Sequence, residues 1–209
     1  MPIFEEKPLV CSPSSRVGAF GLVAIGASAG GLRALSTLLC ALPADFEAPI
    51  AVVQHLDRRY RSLMAQILGR RTKLIVKEVT SGMLASPGHV HIAPPDHHLL
   101  INEDGSFSLS QTDPVHFVRP SIDLLFESLS RSFQDRALAV ILTGSGTDGS
   151  AGVQAIKRRG GLVIVQDEAS AEFSGMPAAA MRAVCADFVL PLEEIAPAIR
   201  RLVSQRATR

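Results

Sequence analysis

Three residues of this chain have the types that acyl transfer needs, and each stands where an apolar run gives way to a turn. Ser28 lies in Gly26-Ala27-Ser28-Ala29-Gly30-Gly31, directly after Leu22-Val23-Ala24-Ile25. His55 follows Ile50-Ala51-Val52-Val53-Gln54, and Asp148 closes the loop that begins at Thr143 after the run from Ala137 to Leu142. A hydroxyl is a poor nucleophile until a base removes its proton. An imidazole does that near neutral pH, and a carboxylate fixes the imidazole tautomer and stabilises the imidazolium. The chain order Ser, His, Asp differs from the familiar hydrolase orders, so only spatial convergence can join the three.

Each residue also has a plain structural reading. Ser28 could be a helix N-cap, His55 a cap or surface histidine, and Asp148 the N-cap of a helix beginning at Gly149. The Gly-rich hexapeptide is open to two chemical readings as well. Gly26-x-Ser28-x-Gly30 fits a nucleophile turn, and a Gly-rich turn after a first strand can instead cradle a dinucleotide. The nucleotide reading is the weaker, because the end of strand two offers Gln54-His55 where a ribose-binding acid is wanted. Nor does Gly-Lys-Ser/Thr follow Gly144 to make a P-loop.

The elements that must position these residues alternate along the chain. Leu32, Leu35, Leu38 and Leu39 recur at helical spacing and are expected to bury one face of a helix that Pro43 ends. After the second strand, a basic stretch from Arg58 overlaps the helical pattern of Leu63, Met64, Ile67 and Leu68, and Leu74-Ile75-Val76 makes a third strand. Gly88 to Leu109 reads as an antiparallel flap, punctuated by Pro94-Pro95 and by the turn signal Asp104-Gly105. Pro120-Ser121 opens a helix with Ile122, Leu125, Phe126 and Leu129 on one face. A fourth strand, Ala137 to Leu142, precedes the Asp148 loop. A helix to about Arg159, the strand Leu162 to Val165, a helix near Pro177 to Ala183, the strand Phe188 to Leu190 and a last amphipathic helix complete the chain. This pattern predicts an α/β fold: a doubly wound, mostly parallel sheet with helices on both faces and an antiparallel hairpin insertion. A 3-2-1-4-5 strand order would set strands two, one and four side by side, roughly 4.8 Å apart each, with their carboxyl ends at one crevice.

The chain has 209 residues, of which 47% are hydrophobic and 20% charged, enough for one substantial core. Residues 1–20 read as a flexible lead-in and 21–205 as a single catalytic domain. A formal net charge of +1 argues against a nucleic-acid surface, and no apolar run reaches membrane-spanning length, so no membrane insertion is expected. Cys11, Cys40 and Cys185 form no C-x-x-C pair. Cys40 and Cys185 are expected to be small buried apolar residues, and a cytoplasmic location follows. His89, His91, His97 and His98 invite a metal reading, but Pro94-Pro95 breaks the stretch and no Cys joins it, so neither metal nor cofactor is expected. His116, with Phe117 and Arg119, is expected to line a turn or the site mouth.

From Val23 to about Val203 the sequence resembles the catalytic domain of the chemotaxis protein-glutamate methylesterases. The resemblance rests on six blocks in order: Ile25 to Gly31, Gln54-His55, His91-Ile92-Ala93-Pro94-Pro95-Asp96-His97-His98, Arg119 to Phe126, Ile141 to Gly149, and Asp167 to Ser170 with Gly175-Met176-Pro177. It implies a serine-type esterase that demethylates γ-glutamyl methyl esters on the cytoplasmic helices of methylated chemoreceptors, with deamidation of receptor glutamines in some members. It places nucleophile, base and orienting acid at Ser28, His55 and Asp148. Backbone N–H groups near Ala29 and Gly30 would hold the oxyanion, and Ser145 and Gly146 would line the site. Ala29 stands where many relatives have Thr and Ser145 where some have Met, changes that bear on rate and preference. Fewer than two dozen residues precede the first strand. The expectation is therefore a chain without the family's usual receiver domain, acting alone or under a regulatory signalling protein in trans. A related esterase or amidase outside chemotaxis and a non-catalytic signalling scaffold on the same fold are the alternatives.

Overall fold

The computed structural model describes residues 21–56 and 62–207. The expected lead-in and the start of the basic stretch at Arg58 lie outside them. The first strand, β1 (Leu22–Ala27), is buried on both faces, as a parallel strand covered by helices on each side must be. Helix α1 (Gly31–Cys40) returns to β2 (Ile50–Gln54); α2 (Met64–Gly69) leads to β3 (Ile75–Glu78) and β4 (His89–Ile92). The hairpin β5 (His98–Ile101) and β6 (Phe107–Ser110) precedes α3 (Ile122–Phe133) and β7 (Ala137–Ile141). Then come α4 (Ser150–Arg158), β8 (Leu162–Gln166), α5 (Gly175–Ala183), β9 (Phe188–Leu190) and α6 (Leu192–Ala207).

Seven strands form one parallel sheet in the order β3-β4-β2-β1-β7-β8-β9, and β5–β6 make a separate antiparallel pair. Alternate residues of each strand feed two cores, as a period of two requires. Val23, Ile25 and Ala27 pack with Leu35, Leu38 and Leu39 of α1 and with Ile195 and Ile199 of α6. Leu22 and Ala24 pack with Ile122, Leu125 and Phe126 of α3, Val153 and Ile156 of α4, and the hairpin residues Leu99 and Phe107. The doubly wound α/β reading therefore holds, and β2, β1 and β7 are neighbours as expected.

Three expectations need correction. His89–Ile92 belongs to the main sheet, between β2 and β3, so the inserted flap shrinks to β5–β6 and the third strand is displaced to the edge. The misreading has a physical source in His91, a polar residue type that here behaves as core. Its ring packs on Phe107 with centroids 4.9 Å apart, and its Nδ1 lies 3.2 Å from the Ile50 carbonyl oxygen. Leu32 is not part of the buried face of α1; it is 38% exposed at the start of the helix. Cys40 is exposed and Cys185 is half-buried, so neither is a simple buried apolar filler.

Candidate active site

The site is built first from register. Ala27 pairs with Gln54 across β1 and β2, and Gly26 pairs with Ile141 across β1 and β7. Ser28 and His55 are thus the next residues on adjoining strands. The ladder continues past the strand ends: the His55 N–H donates to the Ala27 carbonyl (3.1 Å), and the Ser28 N–H donates to the Thr143 carbonyl (3.0 Å). After Ser28 the chain turns within two residues. The Gly31 N–H donates to the Ser28 carbonyl (2.8 Å), and Gly30, at φ 76°, takes the left-handed conformation that glycine adopts without penalty. Gly30, not Ser28, is the N-cap of α1, which removes the capping account of the serine.

The turn is held from the side by groups on other strands. Gln54 Nε2 donates to the Ser28 carbonyl (2.7 Å) and to the His55 carbonyl (3.0 Å), pinning the two strand ends together. Thr143 Oγ1 donates to the Ala29 carbonyl (3.0 Å) and accepts from the Phe173 N–H (2.9 Å). Backbones approach closely here: a Cβ on Gly144 would overlap Met176 and come within 2.8 Å of Ser28 Cβ. These contacts leave the serine few conformations, which is what a positioned nucleophile requires.

His55 Nε2 is 2.8 Å from Asp148 Oδ2, and both side chains are largely buried. The nitrogen facing a carboxylate bears the proton, so the neutral imidazole keeps Nδ1 as its acceptor. Asp148 lies after β7 yet does not cap α4; Gly149 does. Its carboxylate instead sits at the start of α3. Oδ1 accepts from Ser121 Oγ (2.9 Å) and the Asp123 N–H (3.1 Å), and Oδ2 accepts from the Ile122 N–H (2.6 Å) as well as from His55. Burial pushes its pKa up, but the His55 hydrogen bond, the Ile122 N–H, the His55 charge and the Asp123 N–H outweigh it. The net effect holds Asp148 below the ordinary carboxylate range. Among the described residues no hydrogen bond joins Ser28 Oγ to His55. Such contacts commonly tighten only when substrate is bound.

Of the expected lining residues, Ala29 and Gly30 are half-buried beside Ser28, whereas Ser145 and Gly146 lie on the exposed crest of the loop before Asp148. A cavity of about 390 Å³ is lined by Ser28, Gly30, Gly31 and Gln54 together with Leu32, Arg33 and Arg71. A second buried carboxylate, Asp123, packs against Asp148. Its Oδ1 accepts from the Gly152 N–H (2.7 Å); its Oδ2 has no hydrogen-bond partner among the described residues and lies 3.3 Å from His116 Nε2. Burial pushes its pKa up to about 6, helped by the Asp148 charge and opposed by the Gly152 N–H and by His116.

A comparison of the whole chain with protein-family models matches the CheB methylesterase family over residues 23–199. The chain belongs to the CheB methylesterase family. It is 43% identical over 180 residues to a putative protein-glutamate methylesterase/protein-glutamine glutaminase of Leptospira interrogans, an alignment covering 86% of this chain and 93% of that protein. It is also 43% identical over 183 residues to a protein-glutamate methylesterase/protein-glutamine glutaminase of Burkholderia orbicola, covering 88% of this chain but 55% of the longer relative. The crystal structure of the Thermotoga maritima CheB methylesterase catalytic domain superposes with a TM-score of 0.84 at 37% identity, covering 90% of this chain and all (100%) of that one.

Within this CheB-family domain, sequence reasoning missed Gln54 as a clamp, the Ser121–Asp123 cradle of Asp148, and the second carboxylate itself. The only available signal for the last two was their place in the Arg119 to Phe126 block, since their partners are distant in sequence. His116 lies at a turn and faces Asp123, as the expectation of a turn or mouth residue allows. Two other histidines, His91 and His98, are buried beside backbone carbonyls. His98 is fully buried, its Nδ1 accepting from the Ser121 N–H (3.1 Å) and its Nε2 meeting the Asp113 carbonyl (3.1 Å). His89 and His91 do share a face of β4, with ring centroids 5.9 Å apart.

Proposed function

We propose that the chain is a serine-type carboxylic ester hydrolase that removes methyl groups from γ-glutamyl methyl esters of chemoreceptor helices. The observation that carries the reading is the His55–Asp148 hydrogen bond of 2.8 Å at a strand end beside that of Ser28. Ser28 Oγ attacks the ester carbonyl while His55 Nδ1 takes its proton. Asp148 holds the ring through Nε2 and stabilises the imidazolium. The N–H groups of Ala29 and Gly30, at the sharp turn before α1, face the developing oxyanion, where the positive end of the helix adds its field. Collapse breaks the ester C–O bond, and His55 returns the proton to the departing oxygen, releasing methanol. Water, deprotonated by His55, then resolves the acyl-enzyme to glutamate and free serine.

The relatives are also named protein-glutamine glutaminases. Deamidation of a receptor glutamine needs the same acyl-enzyme with ammonia as leaving group, so it is a second activity of one site. The reading places the enzyme in the cytoplasm, where the receptor helices lie. Among the described residues no helix is long and apolar enough to cross a membrane. Methanol release from methylated receptor membranes is the test. It is expected with wild type and absent with Ser28→Ala and His55→Ala, both still folded. Equal release with and without Ser28 would leave a non-catalytic scaffold as the better account.

A further inference from the structure

The cavity beside Ser28 has a feature that ester cleavage does not explain. Its charged lining residues, Arg33 and Arg71, have the same sign, although the group being attacked is neutral. Arg33 stands in the first turn of α1 and Arg71 just beyond α2, and both are exposed. Over α1, α2 and the 70–73 segment the charged residues are Arg33, Arg70, Arg71 and Lys73, with no acid among them. The first turn of α1 likewise has no acidic residue to offset its positive end. Leu32, 38% exposed, supplies apolar surface to the same cavity. Among the described residues Glu172 approaches Gly30 from the 167–175 segment without lining the cavity: a Cβ on Gly30 would meet Glu172 Cβ and Oε2, each at 3.1 Å.

We propose that this cavity docks an acidic stretch of the substrate protein next to the esterified side chain, with Arg33 and Arg71 pairing to carboxylates of that stretch. The proposal rests on the esterase reading and deepens it. Hydrolysis of a γ-glutamyl methyl ester leaves a glutamate. A substrate segment with more than one such site therefore presents free carboxylates beside its remaining esters. Guanidinium groups suit that recognition, because their forked donors match a carboxylate in the plane. Glu172 repels the same carboxylates and turns the acidic stretch toward α2. Pairs this exposed are weak and salt-sensitive, so they bias which ester is presented rather than supply most of the affinity.

The test uses two peptides that share one γ-glutamyl methyl ester, flanked by several Glu in one and by Gln in the other. Wild type at low ionic strength is expected to favour the Glu-flanked peptide by about three- to ten-fold in kcat/KM, through KM. The double variant R33Q/R71Q erases the preference, about 0.5 M salt does the same, and Glu172→Gln enlarges it. Wild type without the preference overturns the proposal. So does a double variant that keeps it, including one in which both rates fall together with their ratio intact. If wild type and Ser28→Ala alike release no methanol from either peptide, the esterase reading fails and takes the docking site with it.

Discussion

Two buried carboxylates, Asp148 and Asp123, pack against one another at the start of α3, and their surroundings push them in opposite directions. Both are nearly inaccessible, at 4% and 2% exposure. Asp148 accepts from Ser121, Ile122, Asp123 and His55, and its pKa lies below the ordinary range. Asp123 accepts from the Gly152 N–H, its other oxygen has no hydrogen-bond partner among the described residues, and its pKa is raised to about 6. Burial is the largest single influence on each. What separates them is the number of donors aimed at the charge, so burial alone does not identify a working acid. The carboxylate with the lowered pKa is fitted to hold an imidazolium; the other is fitted to hold the start of α4.

Asp148→Asn breaks the comparison hardest. An amide nitrogen at the Oδ2 position would face the Ile122 N–H and His55 Nε2–H, donor against donor. The imidazole is then driven to its other tautomer, and kcat is expected to fall by about 10³- to 10⁴-fold. Stability should fall by about 3 kcal/mol, because four donors lose their charged acceptor. Steady-state methanol release and denaturant melts check both. Loss of stability with activity retained would show that Asp148 only caps a helix.

The pH dependence of stability sharpens the contrast through its sign. Asp123 has a folded pKa above its unfolded value, so the folded state binds the extra proton between about pH 4 and pH 6. Stability from this residue is greatest below that window and falls as pH rises through it, by roughly 2–3 kcal/mol in all. Asp148 behaves oppositely: its contribution is full above the ordinary carboxylate range and is lost as pH falls through its depressed folded pKa. Asp123→Asn keeps an acceptor for the Gly152 N–H and removes the ionisation. Its melting temperature relative to wild type is expected to rise between pH 4 and pH 6 and then level off. A flat difference would mean that Asp123 is not perturbed.

How much of this was legible beforehand follows from where each partner sits. Ser28, His55 and Asp148 each follow an apolar run, so strand order was enough to gather them at one edge, and β2-β1-β7 is the observed adjacency. The cradle of Asp148 was not legible, because Ser121 and Ile122 come from another crossover unit and nothing local aims their donors at residue 148. Gln54 read as the polar end of a strand; its clamp on two carbonyls exists only once β1 and β2 are paired. His91 reads as a flap residue because composition cannot show that Phe107 and the Ile50 carbonyl enclose it.

A smaller effect comes from Ser121→Ala, which removes one of the four donors to Asp148 while leaving the backbone N–H groups in place. The expected cost is about 1–2 kcal/mol in stability, with kcat reduced by less than about ten-fold. A thermal melt and one rate measurement suffice. A kcat loss as large as that of Asp148→Asn would mean that the hydroxyl, not the helix start, holds the carboxylate in place.

His116→Ala should give the smallest change and tests the other carboxylate. His116 Nε2 lies 3.3 Å from Asp123 Oδ2, its side chain is 51% exposed, and its charge lowers the Asp123 pKa. Without it that pKa moves further up, so the descending limb of the stability profile extends to higher pH. Half-exposure means water and salt share the interaction, which limits the effect to under about 1 kcal/mol and weakens it further at about 0.5 M salt. Melting temperatures of wild type and variant from pH 4 to pH 8, at two salt concentrations, read this directly. If the limb moves to lower pH instead, His116 does not act on Asp123 through charge, and the opposed pKa values of the two carboxylates then rest on burial and backbone donors alone.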